Sequence, residues 1–285
     1  MIKDIVVNLA LSRAQDPAVD YAISIARTFE AHITGVVFVY DPVISPTILD
    51  GVSAEWIDAQ RSESKAMAQA VVDRFEQAAA LNNLSFRHRV VEATLGGATD
   101  LFGRIGRRFD LMVVGQREPD HLSPADMFVE AALFESGRPV IVVPYIQKDG
   151  LKLDRVIVCW DGSRTAARAM GDAMPFLTRA KTVDIVMVAT GRAKSDEIPG
   201  ADIGHHLARH GINVDVKRIV AEDVDVSNTI LSYAADVSAE MIVMGGYGHS
   251  RLREFVLGGA TKDILNSMTV PILMSHRRPA SRVRE

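Results

Sequence analysis

Two glycine clusters late in the chain carry its strongest chemical signal. Gly245-Gly246-Tyr247-Gly248 directly follows an apolar, strand-like run, and after nine more residues Gly258-Gly259-Ala260-Thr261 opens a helix-compatible segment through Lys262, Ile264 and Leu265. Glycines at a strand exit let the main chain take positive φ and approach a ligand closely. N–H groups at a helix start, reinforced by the helix dipole, favour an anion such as phosphate, and Thr261 adds a hydroxyl donor. No Gly-Lys-Ser/Thr tripeptide of a Walker loop is present, nor the close glycine spacing of a dinucleotide fingerprint. The chemistry on offer is therefore phosphate binding by main-chain amides of another design; glycines serving tight turns alone are the structural alternative.

Other residue sets offer less. Asp202, His206 and His210 are spaced four apart on an expected helix, but three ligands strung along one helix rarely converge on one ion, and a solvated face is the simpler reading. Asp161 and Ser163 with a histidine suggest a hydrolase triad, yet Ser163 lacks the Gly-x-Ser-x-Gly elbow and is expected to cap the helix that follows. Glu222-Asp223-Val224-Asp225 lacks the oxygen spacing of a calcium loop. Gly96-Gly97-Ala98-Thr99 repeats the letters of 258–261 but precedes an apolar strand pattern instead of following one, so it is expected to be a helix start. Met112, Met241, Met244 and Met274 fall in strand patterns and read as adaptable core.

Composition narrows the function classes. Lys plus Arg total 32 against 36 Asp plus Glu, a net charge of −4, so no basic surplus is available for a nucleic-acid backbone. The one basic cluster, Arg277, Arg278, Arg282 and Arg284, lies in a C-terminal tail, 277–285. No stretch reaches the ~18 apolar residues that span a bilayer, and Met1-Ile2-Lys3-Asp4 runs into a strand pattern instead of a signal peptide. Cys159 is the one cysteine and sits in an apolar run, as suits a reducing compartment. The expectation is a cytoplasmic protein without nucleic-acid or membrane partners.

The elements that must position the glycines repeat. Ile5-Val6-Val7-Asn8-Leu9-Ala10-Leu11-Ser12 aligns with Val156-Ile157-Val158-Cys159-Trp160-Asp161-Gly162-Ser163 at an offset of 151 residues. Asp110 to Gly115 aligns with Glu240 to Gly245 at 130, and Pro139-Val140-Ile141-Val142 with Pro271-Ile272-Leu273-Met274 at 132. The smaller later offsets place about 21 extra residues in the first half, within 41–84, where 41–51 reads as loop and 54–82 as a long, charged helix. Strands are expected near 4–9, 33–40, 86–92, 111–115 and 139–143, with helices near 16–29, 54–82, 97–108 and 125–135. The second half repeats this with strands near 155–160, 183–190, 213–219, 241–245 and 270–274 and helices near 163–179, 200–210, 226–237 and 259–267. Apolar runs such as Val140-Ile141-Val142-Val143 suit strands buried between helix layers. The expected fold is α/β: two tandem, doubly wound, five-stranded parallel-sheet domains over 1–147 and 151–276, with ligands beyond the C-terminal strand ends.

The spacing Gly245-x2-Gly248-x9-Gly258, after a fourth strand and before the last helix and strand, resembles the nucleotide-binding motif of the universal stress protein family. Val156 to Ser163 resembles that family's opening strand with Asp-Gly-Ser, and Val270 to Met274 its closing strand, so the chain resembles a tandem universal stress protein. The resemblance implies a Rossmann-like fold of the adenine-nucleotide alpha-hydrolase type and an adenine nucleotide, ATP with Mg, as ligand. It implies that Asp161 faces the nucleoside, that main-chain atoms around Val188 and Ala189 hold the adenine, that Gly245 and Gly248 pass close to ribose and phosphates, and that Gly258, Gly259, Ala260 and Thr261 bind phosphate. The family usually has Ser or Thr where Gly259 stands; one lost hydroxyl–phosphate bond costs about 1 kcal/mol.

The first half departs from the motif. Ala10 stands where Asp161 does, and Gln116-Arg117-Glu118-Pro119 follows Gly115, so this half is expected to have lost the nucleotide site. The resemblance also implies closing strands that pair, here Val140–Val143 with Ile272–Met274 inside one chain, an intramolecular pseudo-dimer that leaves a homodimer of tandem chains open. Three functions follow: a nucleotide-binding stress or signalling protein; a slow Mg-dependent ATPase using Asp161, with Arg251 and Arg253 near phosphate; or an interaction module without nucleotide, its protein partner held by the helix in 54–82.

Overall fold

Within each half, strands and helices alternate where the apolar runs and helical periods place them. The computed structural model describes residues 1–11, 16–40, 53–119, 124–190, 201–221, 225–246 and 259–276. The first half comprises β1 (Asp4–Asn8), α1 (Pro17–Phe29), β2 (His32–Tyr40), α2 (Ala54–Leu81), β3 (Phe86–Ala93), α3 (Leu95–Gly106), β4 (Leu111–Gly115), α4 (Ala125–Glu135) and β5 (Val140–Val143). The second repeats the series as β6 (Arg155–Cys159), α5 (Arg164–Leu177), β7 (Thr182–Thr190), α6 (Ala201–Arg209), β8 (Val214–Ala221), α7 (Val226–Asp236), β9 (Met241–Gly245), α8 (Gly259–Ser267) and β10 (Ile272–Ser275).

The two five-stranded units do not form separate sheets. One ten-stranded sheet runs β3-β2-β1-β4-β5-β10-β9-β6-β7-β8, so each half has the doubly wound order and the halves meet tail to tail. The join is the one antiparallel ladder among the described residues, with Ile272 opposite Val142, Leu273 opposite Ile141 and Met274 opposite Val140. Both closing strands are fully buried. Pairing them removes two apolar edges that would otherwise invite aggregation. The strands begin one and two residues later than the sequence pattern indicates because Pro139 and Pro271 lack an N–H and contribute only carbonyls, to Met112 N and Ile242 N.

Each face of the sheet carries one apolar layer shared by both halves. Ile5, Val7, Val156 and Val158 pack under α1, α2, α5 and α6, while Val6, Met112, Ile157 and Ile242 pack under α3, α4, α7 and α8. Across the join Phe29 of α1 meets Phe176 of α5 edge to face at 5.1 Å, and the Arg179 guanidinium lies 4.4 Å from the Phe29 ring centre. The insertion in the first half is α2, 28 residues against nine in α6. Its C-terminal part buries Val71, Val72, Phe75 and Ala79, whereas Trp56 and Met67 towards its start are 49% and 44% exposed. Helix α3 starts two residues before the expected position because Thr94 Oγ1 accepts from Gly97 N and so draws Gly96 and Gly97 into the first turn. Among the described residues no helix is long and apolar enough to cross a membrane.

Candidate functional site

At the centre of the second half, β6 and β9 are neighbours, yet their chains leave in opposite directions: β6 feeds α5 on one face and β9 leads to α8 on the other. A crevice opens where doubly wound strand order reverses in this way. The turn Asp161-Gly162-Ser163 forms one wall. Gly162 has φ +72°, a left-handed conformation that costs glycine nothing. Asp161 Oδ1 accepts from Ser163 N at 2.9 Å, and Ser163 Oγ accepts from Ala166 N at 3.1 Å as the cap of α5. This is the capping role expected for Ser163. The turn leaves Asp161 exposed at the positive end of the α5 dipole.

The opposite wall is the exit of β9, where Gly245 is needed for packing. A Cβ there would lie 2.7 Å from Ala166 N, 2.8 Å from Thr165 C and 2.8 Å from Thr165 Oγ1, so β9 reaches the head of α5 only through glycine. Thr165, whose hydroxyl also lies 3.0 Å from Ser163 Oγ, is a wall residue that sequence reasoning missed, because nothing in a helix's second residue announces a strand 80 positions away. Gly246 is held in place: its N–H donates to Ser275 O at 3.0 Å and its carbonyl lies 3.0 Å from His276 Nδ1.

The third side is the overhang of β7. This strand has nine residues against five in β6, and the ladder between them ends at Cys159 opposite Val186, with Trp160 N donating to Val186 O. Successive residues of a parallel strand send their main-chain groups to alternate sides. Val188 therefore turns its N–H and C=O the way Val186 does, towards the crevice, whereas Ala189 turns towards Val220 of β8. Asp161, Val188 and Gly245 are thus gathered at one end of the sheet. Gly248, Gly258, Arg251, Arg253 and the tail 277–285 lie outside the described residues. Gly259 and Ala260 open α8, and Thr261 in its first turn is buried at 6% exposure.

The corresponding end of the first half is built differently. Asp16 caps α1 through Oδ1, which accepts from Ala18 N at 3.0 Å, and its Oδ2 takes Ala10 N at 3.2 Å. Where the second half has Gly246, the first has Gln116, only 4% exposed. Its Nε2 donates to Leu265 O at 2.8 Å and to Asn266 O at 3.2 Å, and its Oε1 accepts from Tyr145 N at 3.2 Å. Burial pushes the Tyr40 phenol at the end of β2 up to about 12. The Gly96–Thr99 look-alike is the first turn of α3, where Thr99 Oγ1 donates to Gly96 O at 2.9 Å. His206 and His210 stack edge to face at 5.0 Å, and the described residues contain no group of three or more metal-ligating side chains.

Cys159, half-buried at the end of β6, has its thiol pushed up to about 12 by burial first and by the neighbouring Asp161 charge second. The thiolate is the reactive form. Native protein at pH 8 is therefore expected to resist iodoacetamide, with alkylation appearing only in denaturant; rapid native labelling in an intact-mass assay would contradict this environment.

The fold defines the class: a doubly wound α/β protein of two repeated halves, with a switch point between β6 and β9 in the second. Residues 152–276 match the model of the universal stress protein family. The universal stress protein Slr1230 of Synechocystis is 23% identical over 235 residues, which cover 78% of this chain and 76% of that protein. A universal stress protein structure from Archaeoglobus fulgidus superimposes with a TM-score of 0.72 at 17% identity, covering 96% of this chain and 98% of that one. A functionally unknown protein of Pseudomonas aeruginosa gives 0.63 at 14% identity over 96% and 92%. Residues 152–276, the half that carries the glycine motif, belong to the universal stress protein family.

Proposed function

We propose that this chain binds ATP, or a related adenine nucleotide, in the crevice of residues 151–276 and acts in a cytoplasmic stress response or signalling. The observation that carries the reading is the juxtaposition of exposed Asp161, the head of α5, the Val188 main chain and Gly245 at one switch point, followed by Gly248 and Gly258 in sequence. Asp161 accepts from the nucleoside, Val188 main-chain groups meet the adenine edge, and amides from Gly258 onward meet the phosphates. Mg bound with ATP supplies charge that offsets the phosphates. Domain 1–147 is read as having no nucleotide of its own, since Ala10 stands at the position of Asp161, and Gln116 and Glu118 at those of Gly246 and Gly248. The output is a change of conformation or assembly, biased by the state that nucleotide binds more tightly.

Calorimetric titration of ligand-stripped protein with Mg–ATP is expected to show one binding event. Gly248→Val is expected to weaken it by at least about thirtyfold, equivalent to roughly 2 kcal/mol, while the melting temperature stays nearly constant. Unchanged affinity in that variant sinks the site; two events would mean the first half is live; no binding at millimolar ATP would overturn the nucleotide reading. A second reading, a partner-binding module independent of nucleotide, is favoured by the exposure of Trp56 and Met67 on α2. Turnover as a slow ATPase would be marked by Mg-dependent phosphate release that Asp161→Ala abolishes.

A further inference from the structure

We infer that Gln116, in the first half, is a positioning residue for the nucleotide site of the second half: it clamps the C-terminal end of α8, the helix whose N-terminal end is Gly259–Thr261. The inference rests on the nucleotide reading of that crevice for its ligand, but the clamp itself stands on contacts. Helix α8 has nine residues, a length that is not stable alone in water. Its last carbonyls have no partner within the helix and no basic residue lies in its last turn. Two of those carbonyls, Leu265 O and Asn266 O, are satisfied from 149 and 150 residues away by the Gln116 carboxamide. That carboxamide is in turn fixed by Tyr145 N on Oε1, while Gln116 N donates to Val143 O at 2.8 Å. It therefore reaches from the first half to the second with 4% of its surface exposed.

The two halves use different contacts. At the end of the equivalent helix of the first half, α4, Arg107 Nε donates to Glu135 O at 2.8 Å and Ser136 Oγ donates to Ala132 O, while His276 of the second half packs edge to face on Phe134 at 4.7 Å. Gly246, at the position corresponding to Gln116, has no side chain to reach across; a Cβ there would lie 3.7 Å from Leu133 Cδ2. The position that lies between Gly245 and Gly248 in the second half carries, in the first, a hydrogen-bonding arm on the second half's phosphate-side helix. A short helix held at one end by the partner half transmits changes in that half to its other end, and by linkage a ligand at the far end must tighten the clamp.

Hydrogen exchange on the full chain, with and without Mg–ATP, tests this. Gln116→Met keeps the volume and removes both donors; without nucleotide it is expected to speed exchange of the α8 amides about tenfold, the order expected for orphaned buried acceptors, with α4 little changed. It is also expected to raise the Mg–ATP dissociation constant about three- to tenfold. Gln116→Glu, an acceptor facing carbonyls, should do more than Met on both readouts. Unchanged α8 exchange overturns the clamp whatever nucleotide does, and faster α8 exchange with unchanged affinity overturns the positioning role. Wild-type protein that fails to bind Mg–ATP, with α8 still loosened in the variant, removes the nucleotide reading and leaves the clamp standing. If Gln116→Met does not fold, wild type alone decides: saturation with Mg–ATP should slow the Tyr145 amide together with α8, and an unaffected Tyr145 overturns the coupling.

Discussion

Gly245→Val is expected to lower the melting temperature by roughly 5 to 10 °C, from a destabilisation of about 3 kcal/mol. The added carbons would enter space held by Ala166 N and Thr165 C, atoms of the α5 main chain at 2.7 and 2.8 Å from a Cβ. Main chain in a helix start cannot rotate aside as a side chain can, so either α5 or β9 must shift. Such a shift breaks the Ser163 cap and moves Asp161, so ligand binding should fall with stability. Thermal melts of Gly245→Val and Gly248→Val side by side separate two kinds of glycine: one needed for packing and one needed only for a ligand. Equal melting temperatures for wild type and Gly245→Val would show that the α5 head yields and that the close approach places little constraint on the fold.

Arg155→Ala is expected to cost about 3 kcal/mol, read from urea unfolding. Asp184 on β7 is fully buried, with its Oδ2 taking Arg155 Nη1 at 2.9 Å and the Tyr233 hydroxyl at 3.0 Å. Its Oδ1 has no hydrogen-bond partner among the described atoms. Burial, then the bond to Asp184, pushes the Tyr233 phenol up to about 12, so Tyr233 remains a donor at neutral pH. Removing Arg155 leaves a buried carboxylate with only a phenol for compensation, which costs about 3–5 kcal/mol in fully buried pairs. The lower end applies because the Arg155 side chain is 35% exposed and water reaches its place. The paired variant Arg155→Met with Asp184→Leu should recover most of the loss, since no charge then remains buried. A single variant as stable as wild type would mean Tyr233 alone satisfies Asp184. The first half solves the same position with a neutral group: Thr34, buried, accepts from Arg87 Nε at 3.0 Å.

Much of this architecture is written locally. Strands and helices follow from apolar runs and helical periods a few residues long, which is why β4, α4, β9 and α8 fall where the pattern places them. The Ser163 cap was legible for the same reason, since a cap and its N–H lie three residues apart. The crevice was legible in outline because strand order, once doubly wound, fixes which strand ends meet. Gly245 was legible as a required glycine but not for its packing role, which depends on a helix that the sequence gives no means of docking to within 3 Å.

By itself, then, the sequence determined the α/β repeat, the offset between its halves and the asymmetry of the glycine motif, all of which are matters of residue type and short spacing. The pairing of the closing strands that joins the two units in one sheet was implied by the family resemblance; tertiary structure alone decided that Thr165 faces Gly245 and that Gln116 serves the opposite half. The physical reason is range. A glutamine after a strand reads as an ordinary polar residue until the antiparallel join of β5 and β10 brings carbonyls 149 residues distant within 2.8 Å of it, where a buried acceptor must find a donor or cost stability.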